Sequence, residues 1–173
     1  YHCLKNGTPT SKFINKFYKT LLGVPNQTSN TAVHLELNTP PIETEVKMKL
    51  INYWHRLIQQ SPDRLTKQSL ITLLEDGAKD QFTSAIQTIL KDVGLEDTWT
   101  NQSDIPINDQ NHMKSLLTRI STTVKTHSNH SLIEKAQSET KLKNFLETTN
   151  YHEINQYLLL VKSRTSRRII TKT

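Results

Sequence analysis

The 173 residues include a single cysteine, Cys3, which rules out an internal disulfide framework and fits a reducing compartment. Four separated glycines leave no Gly-rich loop of the kind that cradles phosphates. Aromatics make up 6% of the chain and apolar residues 34%. That is low for a globular protein but above the level of disorder, so the expectation is a thin core shared among several amphipathic helices. No apolar run approaches the roughly 18 residues needed to span a bilayer. The first 20 residues, broken by lysines and by Gly7-Thr8-Pro9, contain no signal-peptide core. Sustained period-two alternation and internal repeats are also missing, which predicts an all-α chain.

Catalytic signatures are equally scarce. Asp63, Asp76, Asp80, Asp92, Asp97, Asp104 and Asp109 are scattered without a paired-carboxylate motif, and no serine sits in a nucleophile elbow. His152-Glu153 begins like a zinc-protease helix, but Gln156 stands where the second imidazole must come. His127 and His130 are three apart and His2 adjoins Cys3, yet nothing fixes two pairs at metal-site spacing. The chain therefore reads as non-catalytic, with no cofactor and no metal.

What is present is charge at the ends. The formal net charge is +6. Lys5, Lys12, Lys16 and Lys19 give +4 over residues 1–20, and Lys162, Arg164, Arg167, Arg168 and Lys172 give +5 over residues 162–173. The 13 basic and 16 acidic groups between them leave −3. Lys12, Lys16 and Lys19 share one helical face, where ammonium groups a turn apart can neutralise adjacent phosphates and release counterions. Arg164, Arg167 and Arg168, at i, i+3 and i+4, group three guanidiniums that can each fork onto phosphate. With Lys162 these are the candidate nucleic-acid-binding residues.

Periodicity and stop signals divide the chain into six to eight short helices, an irregular multi-helix bundle. Phe13, Ile14, Phe17, Tyr18, Leu21 and Leu22 mark one apolar face of a first helix, capped by Thr10 or Ser11 and ended by Gly23. Pro25 to Thr28 reads as a turn, followed by a short helix from Ser29 or Asn30 through Leu37, which Pro40-Pro41 halts. Val46, Leu50, Ile51, Trp54, Leu57 and Ile58 line a helix from Ile42 to Gln60. Leu65, Leu70, Leu73 and Leu74 predict a helix ending near Gly77, and Phe82, Ile86, Ile89, Leu90 and Val93 another ending at Gly94. Trp99 is expected to anchor the following loop. Met113, Leu116, Leu117, Ile120 and Val124 define a further helix that continues or breaks at Ser128-Asn129. The polar stretch Asn101 to Asn108, with Pro106, is the expected boundary between residues 1–100 and 101–173. Phe13, Phe17, Tyr18, Tyr53 and Trp54 are able to stack on unpaired bases, but their helical spacing favours a core role. Trp99 and Tyr151, each beside a loop, are the better stacking candidates.

Lys16 to Trp54 contains Leu22-Gly23-Val24, Ser29-Asn30 with Ala32-Val33, Glu36-Leu37 and Pro41. Tyr53-Trp54, Gly94-Leu95 with Trp99, and the Ser163 to Arg168 run follow. In this order they resemble the region after the polymerase thumb, and before a Cys/His knuckle, of non-LTR (LINE-type) retrotransposon polyproteins. The chain departs from that pattern at Leu35 to Ile42, where two glycines and a basic-aromatic pair are replaced. The resemblance implies a parent RNA-directed DNA polymerase, whose own aspartate motif for metal-assisted nucleotidyl transfer is not found here. It implies for this chain an accessory part that grips RNA or an RNA–DNA hybrid beside the polymerase domain, away from any membrane, in the nucleus or cytoplasm. The alternative is a stand-alone structural, storage or secreted interaction protein derived from such sequence, with sequons at Asn6, Asn26, Asn101 and Asn129 open to glycosylation.

Overall fold

The computed structural model describes residues 8–102, 105, 109–139 and 142. Among these the chain is all-α, with seven helices: α1 (Pro9–Leu22), α2 (Asn30–Glu36), α3 (Ile42–Ile58), α4 (Leu65–Glu75), α5 (Gln81–Asp92), α6 (Glu96–Thr100) and α7 (Gln110–Ser138).

The helix ends follow local chemistry. Thr8, not Thr10 or Ser11, caps α1: its hydroxyl accepts from the Ser11 amide at 3.2 Å, and Pro9 takes the first helical position, where its missing N–H costs nothing. Gly23 ends α1 in the left-handed region at φ 75°, where its lack of a Cβ matters, so that Val24 N–H reaches Lys19 O and Gly23 N–H reaches Thr20 O. The same pair of bonds closes α4 at Gly77-Ala78 and α5 at Gly94-Leu95. At the start of α5 the Asp80 carboxylate accepts from the amides of Phe82 at 2.7 Å and Thr83 at 3.1 Å, and from the Thr83 hydroxyl. Ser29 stands at the predicted N-terminus of α2 but makes no side-chain cap bond. The break left open at Ser128-Asn129 does not occur, and α7 runs unbroken through it.

The chain forms two compact units. One holds the described residues of Glu43–His127, the other those of Lys5–Ile42 and Ser128–Thr173, so both draw on residues from either side of position 100.

The core of the first unit is built from α3 to α7. Ile51, Trp54, Leu57 and Ile58 of α3 meet Leu70, Ile86, Ile89, Leu90, Leu95, Trp99, Met113, Ile120 and Val124. His55 is buried with them. Its Nε2 lies 2.8 Å from Met113 O and the Gln59 amide lies 2.8 Å from its Nδ1, so Nε2–H donates to the carbonyl and Nδ1 accepts. Leu65, expected in the α4 core stripe, is instead 79% exposed, because it stands at the first helical position and Leu70 carries the burial.

In the second unit α2 is the hub. Seven residues are too few for a helix to persist alone in water, so tertiary burial must hold it. Thr31 to Leu35 are all buried. Val33 packs with Leu22, Tyr18, Val24 and Leu37, while Ala32 and Leu35 pack with Leu132, Ala136 and Leu142. One expectation is overturned here. Phe13 and Phe17 are 72% and 55% exposed, and Leu21 is also exposed. The six apolar positions of α1 cover about half its circumference, and a partner as short as α2 covers only the side of Ser11, Ile14, Tyr18 and Leu22.

Candidate nucleic-acid interface

Several of the described motif residues have structural duties. Leu22, Gly23 and Val24 end α1, Ala32 and Val33 fill the second unit's core, and Leu37 packs beneath them. Another face of α1 is basic. Lys12, Lys16 and Lys19 line a cleft of about 300 Å³ together with Asn15, Asn26 and Asn30. No acid occurs anywhere in α1.

The turn that brings Asn26 and Asn30 to the lysines is closed by Thr28 N–H donating to Pro25 O at 3.1 Å. Lys19 ties the turn to the helix, its Nζ donating to Asn26 O at 2.9 Å. Burial makes its charge costlier and pulls its pKa below the ordinary lysine value. Asn15 is fixed from below, with its Oδ1 2.8 Å from His34 Nε2, while His34 Nδ1 lies 3.0 Å from Thr39 O. The cleft therefore has a braced wall, and its ammonium groups recur about one helical turn apart, the arrangement that neutralises successive phosphates.

Of the other candidates, Lys162, Arg164, Arg167 and Arg168 lie outside the described residues, as do Asn6, Tyr151 and His152. Trp99 is buried, with its ring centroid 6.5 Å from that of Trp54, and is no stacking platform. Trp54 is wholly buried, its indole N–H donating to Gln102 Oε1 at 3.3 Å. His127 is exposed and His130 pairs with Glu134 at 3.4 Å. No group of three metal-ligating side chains comes together among the described residues. The sequon asparagines Asn26, Asn101 and Asn129 are exposed. Among the described residues no helix is long and apolar enough to cross a membrane.

A second hollow, of about 400 Å³, opens in the first unit between Ile58, Leu70, Ile71, Leu74 and Gln102. It is mostly apolar, and its one ammonium, Lys67, is spent on the Ile58 carbonyl at 2.9 Å. Asn15 shares the helical face of the lysines, whereas Asn26 and Asn30 come to the cleft only through the turn after α1, which no spacing in the sequence marks.

No family model, curated protein or solved structure matches this chain. The resemblance to retrotransposon polyproteins therefore stands on the motifs alone.

Proposed function

We propose that this chain is a non-catalytic accessory region that grips RNA, or an RNA–DNA duplex, through its phosphates, alongside the polymerase domain of a retrotransposon-type polyprotein. The observation that carries the reading is the cleft of Lys12, Lys16 and Lys19 on an acid-free helix, braced by the Lys19–Asn26 bond and lined by asparagine amides. Ammonium groups position a backbone without reading its sequence, so the reading is of affinity, not specificity. The basic run of Arg164, Arg167 and Arg168 would add to the same electrostatic term.

Binding of the 173-residue chain to labelled RNA across a salt series tests this. The expected result is affinity that falls steeply with salt, and a shallower slope when Lys12, Lys16 and Lys19 are replaced together by Gln. Absence of binding at low salt, or a triple variant that behaves as wild type, overturns it.

One observation favours the alternative of a secreted interaction module. Asn26, in an Asn-Gln-Thr sequon, is exposed in a turn, where a glycan can be attached. A glycan there would occupy the lysine cleft, so the two readings exclude each other at this residue. Intact mass of protein from a secretory host decides between them.

A further inference from the structure

The exposed side of α1 is not simply basic. Lys12-Phe13 and Lys16-Phe17 repeat the same pair four residues apart, so two ammonium groups rise along one line of α1 and two rings along a second line about 100° round the helix. Both rings are more than half exposed, although other apolar positions of the helix are covered by α2. The Phe17 ring lies 6.0 Å from that of Tyr18, and Tyr18 in turn meets His34 edge-on at 5.7 Å. This exposed ring therefore borders a tilted, edge-on cluster of rings. Phenylalanines more than half exposed contribute little to folding, and two of them on the same helix as three lysines suit a ligand with both negative charge and flat apolar faces.

We infer that α1 binds an unpaired nucleic-acid strand, with phosphates in the Lys12, Lys16, Lys19 cleft and bases stacked on Phe13 and Phe17. The inference rests on the phosphate-binding reading above and narrows its ligand. In a duplex the bases are closed within their stack, advancing about 3.4 Å per nucleotide along each strand. Phe13 and Phe17 are about 6 Å apart along the helix axis. A duplex offers its phosphates to the cleft but no base face to the rings, whereas a single strand opens its bases to such a spacing. Stacking tolerates any base, so no sequence preference is expected.

The test compares a labelled oligouridine of about 12 nucleotides, within the range of single-strand sites, with an RNA duplex of the same length. Phe13→Ala and Phe17→Ala should each weaken single-strand binding by about fivefold or more. They should leave duplex binding, the salt slope and the melting temperature unchanged. Phe17→Trp should keep the affinity, and its fluorescence should fall as the single strand is added, against a constant background from buried Trp54 and Trp99.

Unchanged single-strand affinity in both alanine variants, with the lysine dependence intact, overturns stacking and leaves the phosphate reading standing. Equal losses for single strand and duplex overturn it too. Loss of binding to anionic lipid vesicles with single-strand binding kept assigns the face to a lipid surface instead. If the wild-type chain binds neither nucleic acid at low salt, the phosphate reading fails and this inference with it.

Discussion

His34 Nε2 lies 2.8 Å from Asn15 Oδ1, joining the buried face of α2 to the floor of the lysine cleft. The ring's other nitrogen lies 3.0 Å from Thr39 O, a carbonyl that only accepts, so Nδ1 carries a proton. Nε2 then either donates to Asn15 Oδ1 as part of an imidazolium or accepts from the Asn15 amide turned over. In both cases one ring holds the end of α2 and a cleft residue in place. His34→Ala should therefore destabilise the protein by about 1–3 kcal/mol, since it removes two part-buried hydrogen bonds and the packing of a ring that is itself buried. Denaturant titration checks it; a midpoint shift equivalent to less than about 0.5 kcal/mol, as expected of an ordinary surface change, contradicts the bracing role.

Asp80 gives a prediction with a sign in pH. Burial pushes its carboxyl pKa up, but the Thr83 hydroxyl and the amides of Thr83 and Phe82 outweigh that and hold it below the ordinary value of 3.8. A carboxyl with a lower pKa in the folded than in the unfolded chain stabilises fully above the unfolded value and loses that contribution as pH falls through the folded one. Asp80→Ala should cost about 1–2 kcal/mol near neutrality, with the gap to wild type narrowing below about pH 4. Asp80→Asn, which keeps an acceptor, should cost less. Thermal melts at several pH values would refute the cap if the alanine penalty stayed constant into acid.

Trp99 tests the division between core and site. It is 8% exposed and packs beside wholly buried Trp54, so Trp99→Ala should destabilise by about 3–5 kcal/mol. Trp99→Phe should retain the fold and leave nucleic-acid affinity unchanged. A selective loss of single-strand binding in the phenylalanine variant, measured alongside an unaltered melt, would put Trp99 in the interface instead.

Much of this architecture was legible because the sequence punctuates itself. Gly23, Gly77 and Gly94 each follow a periodic run, and all three close helices with the same two backbone bonds. Pro40-Pro41 lies between α2 and α3, but α2 ends before it: Asn38 takes the left-handed region at φ 47°, with Asn38 N–H on Leu35 O and Thr39 N–H on His34 O. The buried side of α1 was not legible. Apolar residues over half a helix leave the covered stripe to the partner, and α2 chose the Tyr18 side over the Phe13 side. Trp99 misled for a similar reason, since proximity to a loop says nothing of burial when α6 folds its indole against Trp54. Lysine spacing revealed half of the cleft. Of its asparagines, Asn15 shares that spacing, but Asn26 and Asn30 depend on a tertiary turn, and a single sequence has no period that marks them.

Lys19 separates binding from stability. Its ammonium is partly desolvated, which lowers its pKa, and a lysine of that kind binds fewer protons folded than unfolded, so its charge opposes folding until high pH removes it. The Nζ bond to Asn26 O works in the opposite direction. Lys19→Met keeps most of the aliphatic stem and removes both effects, so the melt should shift by no more than about 0.5 kcal/mol equivalent. A bound phosphate would favour the charged form and restore what desolvation takes away. The same variant should therefore weaken RNA binding and reduce the log–log salt slope by about 0.7 for a single strand, one phosphate contact's worth. An unchanged slope with lower affinity would mean that Lys19 only shapes the turn at Asn26, and Lys12 and Lys16 would be left as the phosphate ligands.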